Sequence, residues 1–171
     1  MGPVKVGESA IHGLGVFAQR DFQAGEIVLR IDDSRVVDAD HPIRPECGEF
    51  EHHCDYLAGG QVVLMHFPER HINHSCDPNT YVKTLDKIRH VIALRRIAAG
   101  EEITYDYIIN CDEGDVWECR CGAARCRATI VSSFFDLPIE WQKRYVPLLD
   151  DWFVAEHQER LDSVRAALAA S

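Results

Sequence analysis

The sequence has no long hydrophobic run, and no stretch approaches the roughly 18 apolar residues that a membrane-spanning helix needs. Its first ten residues, MGPVKVGESA, also lack the apolar core of a secretory signal. We therefore expect an intracellular protein, cytoplasmic or nuclear, that does not associate with membranes. The 171 residues, 46% of them hydrophobic, correspond to one domain with enough apolar side chains for a core.

Positive charge is also scarce, because 18 Lys and Arg residues face 28 Asp and Glu residues, for a net charge of −10. Binding to DNA or RNA needs a basic face, so we expect no direct nucleic-acid binding. An acidic surface attracts a basic partner, such as a lysine- or arginine-rich peptide. Acidity that only aids solubility explains the charge equally well.

Short strands and turns dominate the first two thirds of the chain. Residues 15–31 and 91–105 each contain an Ala-Gly-Glu turn before an isoleucine, which predicts two hairpins of one shape. A strand is predicted over 62–66, and a further hairpin over 80–94 around Asp86-Lys87. After a turn-like, cysteine-rich stretch, the pattern becomes helical, with Pro138 as the first residue of the first C-terminal helix.

Three cysteines lie close together in CRCGAARC, at positions 119, 121 and 126. In a reducing compartment such clustering indicates a metal site rather than disulfides, and three unbonded thiols in a polar loop are the alternative. A tetrahedral structural zinc site needs a fourth ligand, which this segment does not contain. The spacing leaves several candidates open: Cys47, Cys54, Cys76, Cys111 and several histidines.

The segment RHINHSCDPN, residues 70–79, is dense in polar side chains and contains a proline, which indicates an ordered loop rather than a helix. Together with HGLG at 12–15, GEEITYDY at 100–107 and CRCGAARC at 119–126, it resembles the motifs of SET-domain protein lysine methyltransferases with a post-SET zinc knuckle. The resemblance covers about residues 4–130.

This resemblance implies a mostly β (α+β) fold of several small sheets, with a pseudoknot in which the NHSC segment passes beneath a loop around ITYDY. It divides the chain into a SET domain over 4–110 and a post-SET zinc knuckle over 115–131. A C-terminal helical extension over 136–171 lies outside it.

The resemblance also implies an activity, the transfer of a methyl group from S-adenosylmethionine to the side-chain amine of lysine in a protein or peptide. The zinc would be structural, with Cys76 joining Cys119, Cys121 and Cys126 as the fourth ligand. The implied cofactor contacts are His12, Gly13, Leu14, Gly15, Tyr56, Arg70, Asn73, His74 and Arg120.

Two tyrosines are implied in catalysis. Tyr107 would orient the methyl group and the amine, while the neighbouring Asp106 is expected to be structural. Tyr105 occupies the position where the family carries phenylalanine or tyrosine, and tyrosine there favours mono- or dimethylation. A narrow channel would desolvate the lysine amine and lower its pKa, which favours the neutral nucleophile.

The sequence departs from the family pattern in three places. His71 replaces an aromatic residue, and no Y-x-G motif precedes Tyr56, so the residue that lines the lysine channel is unassigned. The chain also begins almost at the HGLG turn, without a cysteine-rich pre-SET segment or a reader domain, so a histone substrate does not follow. Two alternatives therefore stay open: a SET-like binding module with structural zinc, and a zinc scaffold without a cofactor.

Overall fold

The computed structural model describes residues 2–169, and within this range twelve short strands form four small sheets. This confirms the predicted mostly β architecture. No helix in the described range is long and apolar enough to cross a membrane. The strands are β1 (Val4–Glu8), β2 (Leu14–Ala18), β3 (Ile27–Arg30), β4 (Val36–Val37), β5 (Cys54–Leu57), β6 (Gln61–Leu64), β7 (Asn73–His74), β8 (Thr80–Leu85), β9 (Ile88–Ala93), β10 (Glu102–Tyr105), β11 (Asp112–Glu118) and β12 (Thr129–Ser133).

The two segments with an Ala-Gly-Glu turn pair with each other and do not fold as two separate hairpins, so that prediction was wrong. β2 pairs with β10 and β3 pairs with β9, both antiparallel, and an isolated Phe22–Ile97 bridge lies between the two pairings. Each turn places its glycine in the left-handed region, with φ of 84° at Gly25 and 89° at Gly100. Both segments contain the same turn because both must cross from one sheet to the other.

The hairpin predicted around Asp86-Lys87 is confirmed. Strands β8 and β9 pair in register from Thr80–Ala93 to Leu85–Ile88. The two turn residues have φ values of 50° and 66°, as a two-residue turn of this hand requires. The strand predicted over 62–66 is also present as β6, which pairs with β4 and β5.

β7 joins the first sheet by a parallel pairing with β10, which aligns Asn73 with Thr104 and His74 with Tyr105. The buried Asn79 fastens the end of the loop, because its side chain accepts from the Thr104 N–H at 2.9 Å and donates to the Glu102 carbonyl at 2.7 Å. The RHINHSC and ITYDY segments therefore lie side by side. The threading of one beneath the other stays a prediction.

The described residues pack into two cores. One lies between the sheets and contains Val16, Phe22, Val91 and Ile103 among others. The second joins the cysteines to the C-terminal helices α1 (Ile139–Tyr145), α2 (Asp151–Glu156) and α3 (Gln158–Ala169). Helix α1 begins one residue after Pro138, which was predicted as its first residue. The cysteine-rich stretch that was predicted to be turn-like contains strand β11. The last two residues of the predicted extension lie outside the described range.

Candidate active site

Four cysteines converge beside the parallel strand pair. The Sγ atoms of Cys76, Cys119, Cys121 and Cys126 all lie within 4.8 Å of one another, and 3.7 Å separates those of Cys76 and Cys119. Four thiolates about 2.3 Å from a central Zn²⁺ would have mutual distances of about 3.8 Å. Of the candidates that the spacing left open, the structure brings Cys76 to the other three.

The surroundings of these thiols suit a metal-binding thiolate. The backbone N–H of Cys76 donates to the Sγ of Cys121 at 3.4 Å, and that of Arg127 donates to the Sγ of Cys76 at 3.4 Å. Burial raises the pKa of Cys121, but hydrogen bonds with the N–H groups of Cys76 and Ala123 and with the Cys119 and Cys126 side chains outweigh it and lower the pKa to about 7. Burial raises the pKa of Cys76 and Cys119. The donor set and the spacing fit a closed tetrahedral site.

A cavity of about 320 Å³ opens next to the cysteines. Four of the predicted cofactor-binding residues line it together with the predicted catalytic Tyr107: His12, Asn73, His74 and Arg120. The turn containing Gly13, Leu14 and Gly15 leads from His12 into β2 beside this cavity. Residues from four distant motifs thus line one recess.

The Asn73 side chain holds the HGLG turn in place. Its amide N–H group lies 3.2 Å from the His12 carbonyl, 3.0 Å from the Leu14 carbonyl and 2.9 Å from a Glu102 carboxylate oxygen. Ser9 donates to the same carboxylate at 2.8 Å. The side-chain N–H groups are therefore used within the protein, and Asn73 shapes the cavity by positioning the turn.

Gly15 is required at its position by close packing. A Cβ atom there would lie 2.3 Å from the carboxylate oxygen of Glu102 and 3.0 Å from the Cβ of Ser9. That carboxylate is the one that receives hydrogen bonds from Ser9 and Asn73, so any side chain at Gly15 would displace the anchor of the turn.

Tyr107 lies at the boundary between the smaller cavity and a larger one of about 540 Å³. Its hydroxyl donates to the Ile72 carbonyl at 2.8 Å, and its backbone N–H donates to Nδ1 of His74 at 3.3 Å. Burial, with Asp55 adding to it, raises the pKa of Tyr107 to about 12, so its hydroxyl is neutral at physiological pH. Tyr105 lies beside it, with ring centroids 5.0 Å apart.

The buried Asp106 joins the site to the rest of the chain. One nitrogen of Arg127 lies 2.8 Å from both carboxylate oxygens, and the Tyr145 hydroxyl donates to Oδ2 at 2.7 Å. Nδ1 of His74 is 3.6 Å from Oδ1. Asp106 thus bridges the strand end that bears Tyr107, the cysteine segment and helix α1, as expected of a structural residue.

The larger cavity is partly aromatic and partly acidic. Its lining includes Tyr105, Tyr107, Trp152 and Met65. It also includes five carboxylates and two guanidinium groups: Asp55, Asp106, Glu113, Asp115, Asp150, Arg70 and Arg89. Tyr56 and Arg70 line this cavity rather than the smaller one, so the structure does not bring these two to the other predicted cofactor contacts. Their role as cofactor contacts stays a prediction.

Some lining residues were not singled out by sequence reasoning. Trp117 lines both cavities, with its ring 6.4 Å from that of His74, and Ile11 lines the smaller one. The position of Trp117 two residues before the first knuckle cysteine was an available signal. Asp55 gave no signal, because it lies in a segment without a clear periodic pattern.

The chain belongs to the SET-domain family, because the SET domain model matches residues 13–108, more than half of its 171 residues. The predicted family and fold are therefore confirmed. It is similar to the Histone-lysine N-methyltransferase trithorax of Drosophila virilis, at 34% identity over 144 residues, and to the human Histone-lysine N-methyltransferase 2B, at 34% over 135 residues.

These matches cover 72% of this chain but only 4% and 5% of the two relatives, so the chain spans a small part of their length. Among solved structures, it is similar to a candidate histone methyltransferase of Plasmodium falciparum. That match has a TM-score of 0.50 and 22% sequence identity, and it covers 63% of this chain and 94% of the other. The likeness supports the fold.

Proposed function

We propose that this protein transfers a methyl group from S-adenosylmethionine to the side-chain amine of lysine in a protein or peptide. The observation that carries the proposal is that Tyr107 lines both cavities. Cofactor and lysine would enter from opposite sides and meet beside its hydroxyl. Methyl transfer from a sulfonium to an amine is an in-line displacement, so such an arrangement supplies the alignment that the reaction needs.

The smaller cavity has the chemistry to hold the cofactor. The exposed Arg120 offers a guanidinium for the cofactor's carboxylate, the backbone of the HGLG turn offers polar groups, and Trp117 offers an apolar face. S-adenosylmethionine supplies an electrophilic methyl group on a sulfonium. Tyr56 and Arg70 lie at the other cavity, and their predicted contact to the cofactor is the least supported part of this assignment.

The tyrosine pair organises the lysine end. Because Tyr107 donates its proton to the Ile72 carbonyl, its oxygen keeps lone pairs that can accept from the lysine amine. The Tyr105 side chain lines the larger cavity, and its hydroxyl would take up room that a third methyl group would need. We therefore propose mono- or dimethylation as the outcome.

We further propose that Cys76, Cys119, Cys121 and Cys126 hold a structural Zn²⁺, and that residues 4–110, 115–131 and 136–171 are a SET domain, a post-SET knuckle and a helical extension. Burial of the cysteines under helix α1 supports a closed site without an open coordination position. The acidic lining of the larger cavity favours a basic peptide as the substrate, and a cytoplasmic or nuclear location is consistent with a free-thiol cluster.

Isotope transfer tests the proposal. Zinc-loaded protein is incubated with S-adenosylmethionine labelled in its methyl group and a lysine-rich protein pool, with Tyr107→Phe as the matched variant. We expect label in the pool with the wild type and a loss of at least tenfold with the variant. Equal labelling by both proteins would remove Tyr107 from the mechanism.

The two alternatives give other results. A SET-like binding module would bind the cofactor in calorimetry but transfer no label, while a zinc scaffold would not bind the cofactor at all. The position of Tyr107 between the two cavities favours the enzyme over both.

A further inference from the structure

Asp55 is a carboxylate in the wall of the larger cavity. The sequence motifs had left the residue that lines the lysine channel unassigned. Asp55 belongs to β5 and lines the cavity together with Tyr105 and Tyr107. Its Oδ1 accepts from the Tyr56 N–H at 2.9 Å, and its Oδ2 accepts from Nη1 of Arg89 at 2.5 Å. The side chain is 35% exposed, so it is fixed in position but still open to the cavity.

Arg89 does not neutralise this wall. Its buried guanidinium contacts a second carboxylate, Asp33, through two hydrogen bonds of 2.9 and 2.6 Å. Two carboxylates therefore share one cation, and the group carries a net charge of −1. Asp55 and Arg89 both line the cavity and Asp33 does not, so Asp55 is the one carboxylate of this group that faces the cavity. A carboxylate oxygen has two acceptor positions, and each oxygen of Asp55 uses one in these bonds.

Among the carboxylates that line the cavity, Asp55 is the one that acts on both tyrosines. Burial raises the pKa of Tyr107 and of Tyr105, and the charge of Asp55 adds to it in both cases. Glu69 also adds to the raised pKa of Tyr105, but it does not line the cavity. Two other cavity carboxylates, Glu113 and Asp115, act instead on Tyr56. Asp150 is engaged by the backbone N–H and hydroxyl of Thr84, at 2.9 and 2.7 Å.

We infer that Asp55 is a substrate-binding residue that receives the ε-ammonium group of the target lysine beside Tyr105 and Tyr107. This inference rests on the proposed function. A lysine amine reaches the cavity protonated, since its ordinary pKa is about 10.4. The group of Asp55, Arg89 and Asp33, with its net charge of −1, would attract the ammonium toward the tyrosines, and binding there would neutralise the group. Asp55 acts in capture, and the amine loses its proton to water before transfer.

The test uses n-butylammonium, which has the four side-chain carbons and the charge of lysine, and n-butanol as its neutral counterpart. Binding to zinc-loaded protein is followed by the NMR shifts of the Tyr105 and Tyr107 amides. The variants are Asp55→Asn and the matched control Asp33→Asn, which removes a carboxylate from the same arginine outside the cavity.

We expect the wild type to bind n-butylammonium at least tenfold more tightly than n-butanol. Asp55→Asn should abolish that preference, and Asp33→Asn should keep it within about twofold. In labelled-methyl transfer to a lysine-rich protein pool, Asp55→Asn should raise KM about tenfold or more and change kcat less.

Equal losses in the two variants would show that Asp55 only holds Arg89, and would overturn the inference. A wild type that binds both probes equally would overturn it without any variant. Binding with the expected preference but no methyl transfer would support Asp55 as an amine site and contradict the proposed function. Methyl transfer with an unchanged KM in Asp55→Asn would contradict the role of Asp55 and support the proposed function.

Discussion

Replacing Tyr145 by phenylalanine removes one oxygen from the interior of the protein and isolates the contribution of helix α1 to the site. Tyr145 and Asp106 are 0% and 1% exposed, and the hydroxyl donates to the carboxylate at 2.7 Å. The phenylalanine ring keeps the packing against Trp141, but no water can replace the lost donor in so buried a place. The carboxylate would keep Arg127 and the Ile108 N–H as partners.

The expected cost follows from the charge of the acceptor. A hydrogen bond to a charged group contributes about 1.5–3 kcal/mol, so Tyr145→Phe should lower the free energy of unfolding by about that amount. In a domain of this size 1 kcal/mol corresponds to about 2–4 °C, which gives a fall of about 3–12 °C in Tm. Zinc-loaded protein is used throughout, since metal loss would add its own transition.

The matched control is Tyr56→Phe, which deletes the same hydroxyl from a side chain that is 47% exposed. Water can reach that position, so we expect a change within about 0.5 kcal/mol. Equal losses of stability in the two variants would refute the idea that Asp106 depends on Tyr145 and that α1 is tied to the active-site strand through this bond.

Three further predictions concern the turn, the cysteines and pH. Gly15→Ala should weaken S-adenosylmethionine binding about tenfold in calorimetry, because its Cβ would displace Glu102, while Gly7→Ala, directly opposite on β1, should not. Cys126→Ser should lower the zinc content, measured by atomic absorption, and the Tm together; full zinc with an unchanged Tm would exclude it as a ligand. Burial, aided by the neighbouring histidines, lowers the pKa of His53 to about 4. The unfolded chain, with a His pKa of about 6.5, binds the proton more readily, so stability is lost as pH falls from about 6.5 toward 4. The Tm of His53→Leu should therefore fall less over that interval than the Tm of the wild type.

The local part of the fold was predictable from sequence because its causes are local. The β8–β9 turn is set by two residues that accept positive φ, and the C-terminal helices by Pro138 and an apolar pattern. The pairing of the two Ala-Gly-Glu segments was not predictable in this way. It depends on contacts such as Phe22–Ile97, about seventy-five residues apart, which no local pattern records.

The residues of the candidate site show the same difference between local motifs and long-range contacts. The motifs led to His12, Asn73, His74 and Arg120, and the structure brings them to one cavity with Tyr107. The placement of Tyr56 and Arg70 differs, because Tyr56 lies on β5 and Arg70 follows β6, and both line the larger cavity together with Arg89 of β9. The proposed role of Asp55 can be recognised only from the structure, which places Arg89, from a different sheet, beside it.

Amino-acid analysis of a labelled product is the most direct test of the proposed methyl transfer to lysine. Zinc-loaded protein transfers methyl label from S-adenosylmethionine to a lysine-rich protein pool, which is then hydrolysed and separated. We expect label in mono- and dimethyllysine, with little in trimethyllysine, and loss of that label in Tyr107→Phe. Label confined to another amino acid, or no label from protein that demonstrably binds the cofactor, would contradict the assignment of the two cavities to cofactor and lysine.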